Sequence, residues 1–172
     1  VTLHAITVLG HDRPGIIAEA TAALGGLGLN LEDSTMTLLR GHFAMMLVCR
    51  GDADQHQVEA ALRPLTEAGD LDVAVRVVGE GATAGPVEAT YVLTVHGADR
   101  TGIVSSVVAR VAEVGGNVTD LTTRLAGELY LLVAEVDLPK GVDVTALEAA
   151  LHVTAADLGV EATLRPVESD DL

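Results

Sequence analysis

Residues 10–17, GHDRPGII, return as residues 97–104, GADRTGIV, and this repeat organises the whole 172-residue chain. Each copy follows a short apolar run and opens a segment whose apolar residues recur with helical spacing, so it marks a strand-to-helix corner. The register holds outward from the motif without a gap: Asp12 matches Asp99, Gly28 matches Gly115, Asn30 matches Asn117, Asp33 matches Asp120 and Thr35 matches Thr122. A period this long suits whole domains in tandem rather than solenoid repeats. Units of this size each build only a small core.

Alternation and helical spacing divide each copy into six elements. In the first, a strand over 3–9 leads to a helix over 14–27, with Pro14 in its first turn, a buried stripe of Ile17, Ala20, Leu24 and Leu27, and Gly28 as its stop. A hairpin follows over 29–39 and 43–49, turning at Arg40-Gly41. Asp54 caps a second helix carrying Val58, Leu62 and Leu65, and 71–78 is the fourth strand. The second copy repeats the order: a strand over 91–95, a valine-rich helix from Val104 to Val114, strands over 117–125 and 128–136, a helix through Leu147, Leu151 and Leu158, and a strand over 160–164. With right-handed crossovers, βαββαβ predicts an α+β chain of two ferredoxin-like units, each an antiparallel four-stranded sheet with two helices on one face. The expected boundaries are 1–79 and 89–167, with a Gly- and Ala-rich linker at 80–88 and an acidic tail at 168–172.

Composition narrows the function classes. Hydrophobic residues make up 49% of the chain, yet no apolar run approaches the roughly 18 residues of a membrane span, and no signal-peptide pattern opens it. A cytoplasmic protein without membrane contact is expected. The formal net charge of −15 repels polyanions, and three aromatic residues are too few for a base-stacking platform, so direct nucleic-acid binding is not expected. Cys49 is the only cysteine and the six histidines, including His4, are scattered as surface or loop residues without metal-ligand spacing. No metal, cofactor or catalytic residue is predicted, and the protein is expected not to be an enzyme.

The third strand of each copy is apolar on both faces: Phe43, Met45 and Leu47 alternate with Ala44, Met46 and Val48. Helices cover one face of such a sheet, so the other is expected to pack against another sheet or subunit.

The two corners carry the candidate binding residues. The first helical N–H groups lack intrahelical acceptors and lie at the positive end of the helix dipole, which favours a carboxylate. Gly15 and Gly102 have no Cβ to hold a ligand off the backbone, and Asn30 and Asn117 offer an amide oxygen to an ammonium group. Together these describe a receptor for a zwitterion. Each residue also has a structural reading: the glycines as close-packing positions, the asparagines as caps of the preceding loop, Asp12 and Asp99 as helix N-caps or loop anchors, and Arg13 and Arg100 as ion-pair partners of Asp33 and Asp120. The copies differ at Pro14/Thr101, His11/Ala98, Leu29/Gly116 and Glu32/Thr119, so two non-equivalent sites, or one working and one vestigial, are expected.

A tandem βαββαβ chain with D-R-P/T-G-I at the first corner and Asn two residues after the helix-ending Gly resembles the ACT domain, a regulatory amino-acid-binding module. In organisation it is similar to the family of the glycine cleavage system transcriptional repressor. The motif also occurs in ACT segments attached to phosphoserine phosphatases and formyltetrahydrofolate deformylases, so it identifies the module better than its task. The resemblance implies a ligand where the corner meets the second strand of a neighbouring domain, involving His11, Asp12, Arg13, Gly15, Ile16, Asn30 and Leu31 in one copy and Ala98, Asp99, Gly102, Ile103, Asn117 and Val118 in the other. It implies a small amino acid such as glycine or serine, a homodimer, and a partner that is a transcription regulator. The alternatives are a regulatory subunit of an amino-acid enzyme and, in a different class, a small ferredoxin-like enzyme.

Overall fold

The computed structural model describes residues 1–67, 69, 71–81 and 87–167. The chain divides into two compact units, Val1–Ala82 and Thr83–Leu172. The first contains β1 (Thr2–His11), α1 (Ile16–Gly26), β2 (Asn30–Leu39), β3 (His42–Gly51), α2 (Gln55–Glu67) and β4 (Leu71–Val78). The second contains β5 (Val87–Ala98), α3 (Ile103–Glu113), β6 (Asn117–Ala126), β7 (Leu129–Pro139), α4 (Val144–Asp157) and β8 (Val160–Pro166). Their sheets have the orders β2-β3-β1-β4 and β6-β7-β5-β8, with every neighbouring pair antiparallel. This is the expected ferredoxin-like fold, twice. Residues 82–86 of the expected linker and the expected tail 168–172 lie outside the described residues.

Period-two alternation builds both cores. Ile6 and Val8 of β1 and Phe43, Met45 and Leu47 of β3 point to the helix side, where Val58, Leu62 and Leu65 of α2 meet them, all buried. The matching layer of the second unit uses Leu93, Val95, Leu132, Ala134, Leu147 and Leu151. Helix α2 starts with a reciprocal cap: Gln57 N–H donates to Asp54 Oδ1 and Asp54 N–H donates to Gln57 Oε1, each at 2.9 Å. In the second unit Asp143 accepts from Ala146 N–H at 3.0 Å.

Three expectations change. Helix α1 begins at Ile16, because Gly15 takes a left-handed conformation (φ 95°) and Pro14 is left in the turn before it. The buried stripe therefore steps in fours from Ile16 through Ala20 to Leu24, and Ile17 is 45% exposed. His4 is not a surface residue: it is fully buried on the helix side of β1, with Nε2–H donating to the Ala53 carbonyl at 2.9 Å. Its place in alternation with Ile6 and Val8 carried that signal.

The third change concerns Leu29 and Gly116, one of the differences between the copies. Leu29 is buried and its Cδ2 occupies the space above Gly51, where an added Cβ would lie 2.5 Å away. At the equivalent pair the sizes are inverted: a Cβ on Gly116 would meet Leu138 Cδ2 at 2.9 Å. One leucine fills the same gap in each unit from opposite sides, so this difference is compensated packing and not ligand selectivity.

Candidate functional site

The two corners are built alike. The N–H of Asp12 donates to the Gly41 carbonyl at 3.1 Å and that of Asp99 to the Glu128 carbonyl at 3.3 Å, which fastens each corner to the adjacent hairpin turn. The chain then turns through Gly15 or Gly102, whose φ values of 95° and 93° strain any residue with a Cβ. The first intrahelical bonds run from Glu19 N–H to the Gly15 carbonyl at 2.9 Å and from Ser106 N–H to the Gly102 carbonyl at 3.0 Å. That leaves the N–H groups of Ile16, Ile17 and Ala18, and of Ile103, Val104 and Ser105, without acceptors among the described residues.

Several structural readings fall away. Neither glycine closes a helix against a strand: no backbone atom lies within 4 Å of a Cβ built on Gly15 or Gly102. Asp12 and Asp99 do not cap the helices, since the N-cap residues are the glycines and no side chain bonds there. Arg13 does not pair with Asp33. Its guanidinium grips Glu19 in a two-pronged bond, Nη1 to Oε1 at 2.8 Å and Nη2 to Oε2 at 2.7 Å. This bond holds the Glu19 carboxyl below its ordinary pKa and raises that of Arg13.

Here the corners diverge. Glu19 Oε1 lies 3.4 Å from the position a Gly15 Cβ would take, so a carboxylate of the protein itself stands at the first helix N-terminus. In the second unit Ser106 occupies the equivalent position, and the nearest atoms to a Gly102 Cβ are the hydroxyls of Ser105 and Ser106 at 3.9 Å. Arg100, the counterpart of Arg13, has no ion pair with a described residue, Asp120 included. Its guanidinium lies beside Gly159 at the C-terminal end of α4, where the helix dipole favours a cation. Asp99, Arg100 and Thr101 with residues 156–159 line an open cleft of about 860 Å³. The sequence noted four differences between the copies and not Glu19/Ser106, because nothing in the local pattern shows that residue 19 faces back to the corner.

The remaining candidates sort by position. Ile16 and Ile103 are core side chains and offer a ligand only their N–H groups. His11 and Ala98 end β1 and β5 and are exposed; the His11 ring lies 5.2 Å from that of His42. Asn30 and Asn117 are exposed, and neither side chain caps the preceding loop or bonds any other described residue. A β-bulge follows each, between Leu31 and Asp33 and between Val118 and Asp120. Leu31 is partly exposed, while Val118 packs on the second core. Bulged Glu32 is held by Arg50, whereas Thr119 donates to the Glu135 carbonyl at 3.5 Å.

The asparagines are not next to the corner of their own unit. Asn30 pairs with Arg50, which pairs with Leu3, whereas the corner follows His11, which pairs with His42 beside Leu39. Nine strand residues separate the two ends, roughly 30 Å at the rise of a β-strand. The corner and the asparagine of one unit therefore do not meet on one small ligand. Among the described residues no group of three His, Cys, Asp or Glu could hold a metal, and no helix is long and apolar enough to cross a membrane.

Two ferredoxin-like units in tandem, each with a glycine-opened strand-to-helix corner, define the architecture. The family model described as the ACT domain matches residues 4–77 and 89–165. The chain belongs to the ACT domain family. It is 25% identical over 172 aligned residues to the glycine cleavage system transcriptional repressor of Escherichia coli K12, covering 94% of this chain and 88% of that protein. A UPF0237 protein of Streptococcus mutans is 44% identical over 50 residues, which span 29% of this chain and 57% of its own length. A solved structure of an unknown protein from Galdieria sulphuraria matches 97% of this chain and 99% of its own, with a TM-score of 0.81 and 28% identity.

Proposed function

We propose that the protein is a non-enzymatic sensor that takes the carboxylate of a small amino acid at the β5–α3 corner of its second unit. The observation that carries this reading is the contrast between the corners: N–H groups of Ile103, Val104 and Ser105 stand open, with serine hydroxyls around them, whereas Glu19 stands at the first. The free N–H groups supply the anion site. Arg100, in no ion pair with a described residue, adds a positive charge nearby. Asn117 of the same unit lies too far away to read the ammonium end of that ligand. Glycine or serine as the ligand rests on the similarity to the glycine cleavage system transcriptional repressor alone. Similarity to a transcriptional repressor supports a role in which the ligand alters contact with a transcription regulator, and the net charge of −15 suits a protein partner over DNA. Ligand can shift such an equilibrium only by its difference in affinity for the two states, typically about 1–3 kcal/mol.

The test is calorimetry on the full chain with the twenty amino acids, repeated on Ser106→Glu and Glu19→Ser. One amino acid is expected to bind, with Ser106→Glu weakening it at least about fivefold, as one like-charge contact near 4 Å in water would. Glu19→Ser is expected to add a second binding event. Binding that Ser106→Glu leaves intact would remove the second corner as the site.

A further inference from the structure

The strand register sets a charge pattern on the helix-free face of the first sheet. One row across it begins with Asp33 on β2 and ends with Arg76 on β4, passing through Val48 and Ala5. Two rows further on, Thr37 and Asp72 are the ends, with Ala44 and Leu9 between. The row between these is uncharged and contains Met46. Leu9 is 54% exposed and Met46 43%, and the face carries a shallow apolar cleft of about 330 Å³. Neither Arg76 nor the two aspartates form an ion pair with a described residue. Within these three rows the face is apolar but for Thr7, Thr35 and Thr37, with Arg76 at one corner and an acid at each neighbouring corner; the row beyond Asp33 and Arg76 carries Arg50, which pairs with Glu32 and Glu80. The open face of the second sheet differs: Glu135 stands within it, and His96 Nε2 lies 3.3 Å from Glu161 across β5 and β8.

We propose that the open face of the first sheet seats the same face of a second copy of this chain. Charge complementarity identifies the occupant. A two-fold axis in the plane between two such sheets, running along the strands, sets Arg76 of each copy over Asp33 of the other. An axis across the strands sets it over Asp72 instead, so either sandwich packing gives two opposite-charge pairs around an apolar centre. Sheets pack about 10 Å apart, a span that an arginine on one side and an aspartate on the other can bridge. The flexible thioether of Met46 adapts to a facing copy of itself. Four strands by some eight residues give about 500 Å² per partner, or about 1,000 Å² in total, which marks a weak, concentration-dependent dimer. This surface is separate from the helix corners, so the inference stands or falls independently of the ligand reading.

The test is sedimentation equilibrium of the full chain over about 5 to 500 µM, the range suited to an interface of this size. Wild type is expected to show a monomer–dimer equilibrium. Arg76→Glu alone, and Asp33→Arg with Asp72→Arg in another variant, are each expected to raise the dissociation constant more than about tenfold by like-charge contact. Mixing the two variants is expected to restore association, because in the mixed dimer both pairs become opposite again. Arg165→Glu in the second sheet is expected to change nothing. A wild type that stays monomeric throughout, or a dimer insensitive to Arg76→Glu, would overturn the proposal.

Discussion

Compensated packing of Leu29 over Gly51 and of Leu138 over Gly116 makes a quantitative prediction about the second core. Gly116→Leu places a side chain where even a Cβ would lie 2.7 Å from Val111 Cγ1, 2.9 Å from Leu138 Cδ2 and 3.0 Å from the Val111 carbonyl. Overpacking of this kind costs about 1–3 kcal/mol. Leu138 is 2% exposed, so Leu138→Gly removes a fully buried side chain, at about 2–5 kcal/mol for the cavity and up to about 1 more for glycine within a strand. Independent effects would sum to about 3–9 kcal/mol in the double variant. The first unit shows that leucine at one position and glycine at the other fill the space just as well when inverted. Gly116→Leu with Leu138→Gly is therefore expected to lose only about 1–3 kcal/mol, as volume-conserving exchanges do when neighbours repack. Urea unfolding of the full chain and its three variants, read as a double-mutant cycle, measures the coupling. Additivity within about 0.5 kcal/mol would refute the reasoning.

Three further outcomes follow from single groups. Gly102→Ala forces an L-residue to φ 93° with no steric clash, so a loss of about 1–2 kcal/mol in urea unfolding is expected; an unchanged midpoint would mean the corner relaxes. His4→Leu leaves the buried Ala53 carbonyl without its donor and is expected to cost about 1–3 kcal/mol, which the same titration reads. Burial, and then the charge of Glu32, raise the Cys49 thiol above its ordinary 9.0. The folded state thus holds that proton more tightly, so this contribution to stability is intact below about pH 9 and lost as pH rises through the folded value. Cys49→Ala is expected to flatten the alkaline decline, and native Cys49 to react slowly with a thiol reagent; rapid labelling at pH 8 would count against its burial.

Much of the candidate site was legible in the chain because a duplicated motif states the same local problem twice. Gly15 and Gly102 stand where the backbone must turn left-handed, and both copies keep that requirement. Legibility ended where a residue's meaning depended on a neighbour far along the chain. Arg13 could be matched with Asp33 on paper, but the first turn of α1 brings Glu19 within reach and decides the partner. Asn30 follows its glycine closely in sequence, yet a strand of ten residues carries the corner and the asparagine to opposite ends of the sheet.

The amino-acid sequence by itself determined the two βαββαβ units, their strand and helix faces, and the corners at Gly15 and Gly102, because periodicity and backbone restriction act over a few residues. Only the tertiary structure decided which corner stands open, that Leu29 and Gly116 answer Gly51 and Leu138, and that Arg76 lies between two acids on an apolar face. Those facts are set by register and packing between segments distant in the chain, and no local pattern encodes such distances.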